Sequence, residues 1–242
     1  MITQLVRSLP LHKQVQDAII EMIRSKKLPD NRLKSEEELA SILNVSRATI
    51  REALHQLRAK GVITKRHGKG NYVHLSALDT RFRVDVYNDF LDLIDNAGYK
   101  PSLSQTDWQT QLIKAPATSR LDLPGDTEVI AFQRIYYAND DPAIYVAVQI
   151  PKPYILNTPI NKQIYSSLKA FVEEYCHRDI AHSIDWLKGT CNVDIATVFQ
   201  IPTDTPMLAW DQVYFGLEDE KICFSEIFFN PRYMDLSVLV KM

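Results

Sequence analysis

The stretch from 35 to 73, SEEELASILNVSRATIREALHQLRAKGVITKRHGKGNYV, constrains the chain more than any other. Ser35 followed three residues later by Glu38 reads as a capping box, and Glu36 and Glu37 place negative charge on the first helical turn, where the dipole favours it. Leu39, Ile42 and Leu43 form an apolar stripe at helical spacing. Asn44 and Val45 interrupt that stripe. Asparagine tolerates the left-handed backbone of a tight turn, and Val45 can plug the angle between two helices. Ser46 then caps a second helix with Ile50, Ala53, Leu54 and Leu57 on its core face. The other face, near its amino end, carries Arg47, Ala48, Thr49, Arg51, Glu52 and His55.

Gly61 closes this helix where a left-handed cap is wanted. Val62-Ile63-Thr64 and Asn71-Tyr72-Val73 read as two short strands around the basic tip Lys65-Arg66-His67-Gly68-Lys69-Gly70. Helix, turn, helix and basic hairpin make a winged helix-turn-helix. In such a module the second helix reads base edges in the major groove and the wing contacts phosphate or the minor groove. Ala48 removes bulk from the reading face and can meet a thymine methyl, and Thr49 can bond a phosphate or a base. A solvated face holding two arginines, and a merely soluble turn at the wing, are the competing readings.

Charge supports the first reading. Residues 1–75 hold 14 Lys+Arg against 7 Asp+Glu, whereas residues 76–242 hold 14 against 23. The overall net of -2 therefore hides a basic module joined to an acidic remainder. No apolar run reaches the roughly 18 residues of a membrane span, and no signal-peptide core opens the chain. A cytoplasmic protein without a membrane partner is expected. Cys176, Cys191 and Cys223 lack the spacing of a zinc site or disulfide framework, so neither metal nor cofactor is expected.

In chain order, residues 1–9 read as a loose arm. Leu11, Val15, Ala18, Ile19, Met22 and Ile23 form an amphipathic helix ending near Lys27. The DNA-binding domain spans 1–74, a linker 75–83 and a second domain 84–242. In the latter, Val86, Phe90, Leu93, Ile94 and Ala97 form one helical face. Strands are expected over Ser104–Ile113, Glu128–Ala138, Ala143–Ile150, Ile180–Lys188, Met207–Gly216 and Lys221–Phe229, with helices over Thr118–Leu121, Tyr165–Cys176 and Asp194–Phe199. Hairpin-joined strands with interspersed helices imply an α+β domain around an antiparallel sheet.

Residues from about Leu9 to Val73 resemble the DNA-binding domain of the GntR family of bacterial transcription regulators. The segments Leu11–Val15, Leu33–Ala40, Val45–Leu54 and His67–Gly70 carry that resemblance. It implies that Arg47, Thr49 and Arg51 contact operator DNA with Gly68 at the wing. Lys34, Ser35, Glu37, Ser46, Ala48, His67 and Lys69 complete the candidate DNA face. The family usually has proline where Lys34 stands and a DNA-contacting arginine where Glu37 stands. A glutamate at that position can accept from a cytosine amino group or simply remove a contact.

The second half, roughly Tyr87 to Leu239, resembles the UTRA effector domain of the HutC branch, whose fold is like that of chorismate lyase. The resemblance is carried by 97–101, 132–142, the Ile164-Tyr165 helix start, 201–206, Phe224-Ser225 and Pro231-Arg232-Tyr233. It implies a cleft for a small metabolite, with Arg134 at the first basic position of an Arg-x-Arg strand that holds an anionic group. Tyr136 replaces the second arginine. Val146 and Cys223 stand at acidic positions, and Ser225 follows the latter. Alternation places Arg134 and Tyr136 on one face with Ile130 and Phe132, so the arginine needs an anion there, either the effector or a nearby acid. Tyr165 either helps bind an anion at a helix start or packs in the core. The lost acids point to an effector smaller or less hydroxylated than a sugar phosphate.

The resulting expectation is a homodimeric, sequence-specific regulator, most simply a repressor released from operator DNA by an anionic metabolite. A metabolite-dependent activator is the nearer alternative. An enzyme of chorismate-lyase-like fold is the remoter one: there is no phosphate loop, metal spacing or Gly-x-Ser-x-Gly elbow, and Cys176 beside His177 and His182 is a weak dyad.

Overall fold

The computed structural model describes residues 10–25, 28–86, 89–156 and 167–241. The expected amino-terminal arm, Lys26, Lys27 and Tyr165 lie outside them. The chain forms two compact units: Met1–Val86 together with Ser237–Met242, and Tyr87–Leu236.

The first unit is built on three helices. α1 (Leu11–Ser25) buries Val15, Gln16, Ile19 and Ile23. α2 (Glu36–Leu43) and α3 (Arg47–Ala59) follow, and Ile50, Ala53, Leu54 and Leu57 of α3 are wholly buried with Leu39 of α2. Two apolar residues expected inward are exposed, Leu11 and Ile42. The first occupies the opening position of α1, and the second leaves the short α2 with Leu39 alone fully buried.

Local chemistry fixes the turns. Ser35 Oγ accepts from the Glu38 N–H at 3.2 Å while Glu38 returns a carboxylate to the Ser35 N–H at 2.8 Å. Asn44 takes the left-handed conformation at φ 52, and its N–H reaches the Ala40 carbonyl. Ser46 caps α3 by accepting from Thr49 N–H. Ser35→Ala removes the side-chain half of the reciprocal cap, so about 1 kcal/mol of stability should be lost in a urea melt followed by the helix signal.

After α3 come β1 (Ile63–Arg66) and β2 (Gly70–Val73), an antiparallel wing pairing Ile63 with Val73 and Arg66 with Gly70. The segment read as a linker contains a further short helix, α4 (Leu75–Asp79), with Ala77 buried. Its five residues are too few for a periodic pattern to show. Arg83 is buried and forks onto Asp85, while its Nη1 donates to the Lys60 carbonyl at 2.8 Å. The final residues return to this unit. Ser237 bridges Arg83 in parallel, Leu239 lies against Gly61, and Lys241 Nζ donates to the Arg58 carbonyl at 3.0 Å at the end of α3.

The second unit is an antiparallel sheet of seven strands in the order β3-β5-β6-β9-β8-β7, with β4 also on β5. The strands are β3 (Pro101–Gln105), β4 (Gln109–Leu112), β5 (Glu128–Ala138), β6 (Asp141–Pro151), β7 (His182–Thr190), β8 (Met207–Phe215) and β9 (Lys221–Phe229). The single strand expected over Ser104–Ile113 is therefore two. Thr106 breaks it by exchanging hydrogen bonds with Gln133, and Trp108 turns to pack on Phe132, Phe171 and Tyr175.

Helices cover both faces. α5 (Phe90–Asn96) and α7 (Leu168–Cys176) lie on one, and α6 (Ala117–Leu121) and α8 (Val193–Phe199) on the other. Val86 falls short of α5, because Asp89 caps that helix by accepting from Leu91 N–H. On the second face, Asp211 is buried between Arg120 and Lys188, and Lys188 also reaches Glu226. That cluster closes its charges on itself.

Candidate DNA interface and effector cleft

The first candidate surface gathers the amino ends of α2 and α3 and the first wing strand. Arg47, Ala48 and Arg51 are exposed on α3, and the wing from Thr64 to Gly70 is exposed throughout. Arg51 Nε donates to Glu36 Oε2 at 2.7 Å, and Lys65 of the wing lies 3.9 Å from the same carboxylate. Arg47 approaches Glu37 at 4.0 Å. The Arg51 guanidinium, through its hydrogen bond, is the main cause holding the Glu36 carboxyl below its usual range.

Such solvent-facing pairs add little stability. Their value is orientation: Glu36 aims Arg51 along the face, and Lys65 ties the wing strand to the same point. Thr49 shares its hydroxyl with Ser46 at 2.8 Å, so its side chain is engaged in the cap. Lys34 pairs loosely with Glu38 at 3.9 Å, and Ser35 is committed to its own cap. His67, Gly68 and Lys69 stand at the wing tip, with open space around Gly68 at φ +69. Sequence reasoning missed the part played by Glu36, which it treated only as helix-dipole charge. Its spacing of 15 residues from Arg51 follows no local rule. Arg32 and Arg66 flanking the Tyr72 ring, at 5.8 and 6.0 Å, were missed too.

The second candidate site lies on the sheet face covered by α5 and α7. Arg134 of β5 is 2% exposed, sits directly opposite Val146 of β6, and that residue sits opposite Ile227 of β9. Tyr136, two residues on, lies under the guanidinium at 5.3 Å from its ring centre. Cys223 and Ser225 of β9 occupy the same face and are wholly buried. Five of the six expected residues thus share one surface, and Tyr165 lies outside the described residues.

Two features there were not anticipated. Asp89, the cap of α5, sits near Arg134, yet burial outweighs both its hydrogen bond from Leu91 and that arginine and holds its carboxyl above the usual range. Burial likewise raises the Tyr136 hydroxyl despite the arginine beside it. Aromatic rings wall the face. Phe90 packs with Tyr136, Trp210 and Phe229 at one end, and Trp108 with Phe132, Phe171 and Tyr175 at the other.

The thiol and imidazoles around the end of α7 and the start of β7 have separate settings. Burial lifts Cys176 to about 11, His177 takes the left-handed cap position, and His182 stacks on Phe215 at 4.9 Å. A separate cavity of about 370 Å³ opens nearby, bordered by Tyr154, Leu156, Arg178 and Glu220. It contains none of the expected effector residues. Among the described residues no three His, Cys, Asp or Glu side chains come together as metal ligands, and no helix is long and apolar enough to cross a membrane.

A winged helix-turn-helix presenting basic side chains, joined in one chain to an α+β unit with a buried arginine in its sheet, defines a DNA-binding regulator with a sensor domain. Comparison with known proteins gives the family. Residues 11–73 match the bacterial regulatory proteins of the gntR family, and residues 96–235 match the UTRA domain. The chain belongs to the GntR family of transcription regulators, in its UTRA-bearing, HutC-type form. A relative from Escherichia coli strain K12, named "Probable fructoselysine utilization operon transcriptional repressor", is 26% identical over 215 residues, covering 85% of this chain and 84% of its own. The repressor NagR of Bacillus subtilis is 23% identical over 203 residues, or 83% and 82% of the two chains. Among solved structures, YydK of Bacillus subtilis shares the fold at a TM-score of 0.73 with 20% identity, covering 96% of this chain and 100% of its own. PhnF of Mycobacterium smegmatis does so at 0.58 with 16% identity, covering 94% and 99%.

Proposed function

We propose that the protein represses transcription as a homodimer and leaves its operator when an anionic metabolite occupies the cleft around Arg134. The observation carrying this reading is the pairing of an exposed, carboxylate-aimed Arg51 with a buried Arg134 in one chain. The first is free to exchange its partner for a guanine edge or phosphate. The second is a buried guanidinium in an apolar setting with Asp89 near it, a place where an anionic group is favoured.

On this reading Arg47 and Arg51 contact bases, while Lys34, Glu37, Ala48 and Thr49 line the groove beside them. Ser35 and Ser46 act through their caps, and His67, Gly68 and Lys69 follow the backbone. Tyr136, Val146, Cys223 and Ser225 shape the effector cleft. Dimerisation is expected because one winged helix reads too few bases to specify an operator. The edge strand β7, with exposed Ile184 and Leu187, suits such a contact. The protein acts in the cytoplasm, is not an enzyme and needs neither cofactor nor metal.

Regulation follows from linkage: an effector that weakens operator binding by some factor is itself bound more weakly by the DNA complex by the same factor. The name of the Escherichia coli relative suggests that fructoselysine and its breakdown products be screened first. Gel-shift competition with promoter fragments tests the core of the proposal. A preference of about a thousandfold or more over bulk DNA is expected, relieved by the effector. Binding equally tight to every fragment would leave only a non-specific DNA binder.

A further inference from the structure

Directly paired residues of a sheet point the same way. Ser225 of β9 pairs with Gln212 of β8, which pairs with Asp185 of β7. The row continues across β6 through Val148 to Phe132, next to the row that holds Arg134 and Trp210. α7 covers Phe132, and α5 covers Tyr136, Trp210 and Phe229. The three polar side chains therefore lie on the sheet face that these two helices cover.

All three leave hydrogen-bonding capacity unused. Ser225 Oγ, Gln212 Oε1 and Asp185 Oδ1 are buried without a hydrogen-bond partner, and Ser225 and Gln212 are 0% and 2% exposed. Gln212 donates an amide N–H to Ser183 at 3.4 Å, and its carbonyl oxygen has no partner. Paired Cβ atoms across a sheet stand about 5 Å apart, close enough for neighbouring side chains to grip one ligand group. Leaving one such buried atom unmatched is unfavourable, and here three are neighbours.

The chemistry of the row selects its partner. All three atoms can accept, Ser225 through a hydroxyl that can also donate, and one belongs to a carboxylate. An ammonium offers three donors, no acceptor and the opposite charge. A hydroxyl could pair with Ser225 but would leave the carboxylate charge uncompensated. We infer that the Ser225–Gln212–Asp185 row is a subsite for the cationic amine end of the effector. The inference rests on the effector reading of the Arg134 cleft.

The acid missing at Val146 and Cys223 is thus supplied from β7, at a different place on the same face. Burial holds the Asp185 carboxyl above its usual range against hydrogen bonds from Gln212 and Ser183, the state expected of an acid awaiting a cation. β5 and β7 are separated by four inter-strand steps of about 4.8 Å, so a ligand touching Arg134 and Asp185 is elongated. The fitting molecule is a bipolar catabolite, anionic at one end and amine-bearing at the other.

The test uses the full chain and three homologous series from ethyl to octyl: ω-aminoalkyl, ω-hydroxyalkyl and simple alkyl phosphates, titrated calorimetrically. The aminoalkyl series should bind about tenfold to a hundredfold tighter than the others at its best length, the worth of a charge-assisted hydrogen bond. Asp185→Asn, which keeps shape and one acceptor, should erase that advantage while alkyl phosphate binding and operator binding persist. Ser225→Ala should diminish it and provides the reading if the first variant melts early. Equal binding of the three series, no binding of any of them, or a loss in Asp185→Asn shared by alkyl and aminoalkyl phosphates overturns the inference. Operator release measured in the same samples separates the two ideas. Amine-dependent binding that leaves the operator complex intact keeps the subsite and removes the effector role.

Discussion

Arg51→Ala should weaken operator binding by about 1–3 kcal/mol and change which base is preferred at one position of each half-site. The expectation rests on geometry. Arg51 is 63% exposed in its side chain, stands on the first turns of α3, and is held at 2.7 Å by Glu36. On the proposed reading, binding would exchange that carboxylate for a base edge, and Glu36 would act by positioning. Glu36→Gln should therefore blur base preference while leaving the salt dependence nearly unchanged, because no phosphate contact is lost. Competition gel shifts with single-base operator variants read both effects. Unaltered affinity and preference in Arg51→Ala would take the reading role away from this face.

Arg134→Ala should abolish release by the effector and spare operator binding. The residue lies mid-strand, buried among Phe132, Tyr136 and Val146, with Asp89 the acid near it. A buried charge that lost its partner would cost about 3–5 kcal/mol. The substitution therefore also tests whether Asp89 depends on Arg134. If the variant melts early and loses DNA binding together with folding, Arg134 is a structural partner of Asp89. If it folds, holds the operator and ignores every candidate metabolite, the arginine belongs to the sensor.

The winged module was legible because its rules are local. The reciprocal cap at Ser35 and Glu38, the left-handed Asn44 and the periodic Ile50, Ala53, Leu54 and Leu57 each lie within a few residues of one another. The strands of the second unit were legible from alternation and turns, and Arg134, Tyr136, Val146, Cys223 and Ser225 do share one face. What escaped notice depends on partners far apart in sequence. Glu36 meets Arg51 only once two helices cross, and Asp185 comes to Ser225 through two strand pairings. The break at Thr106 was hidden because Trp108 looks like one more strand residue until Phe171 is placed against it.

The carboxyl end carries a practical lesson. Since residues 237–241 pack beneath the reader rather than trailing from the sensor, trimming them should injure promoter recognition first. A bulky group attached at Leu239 or Lys241 would press on Gly61 and the last turn of α3.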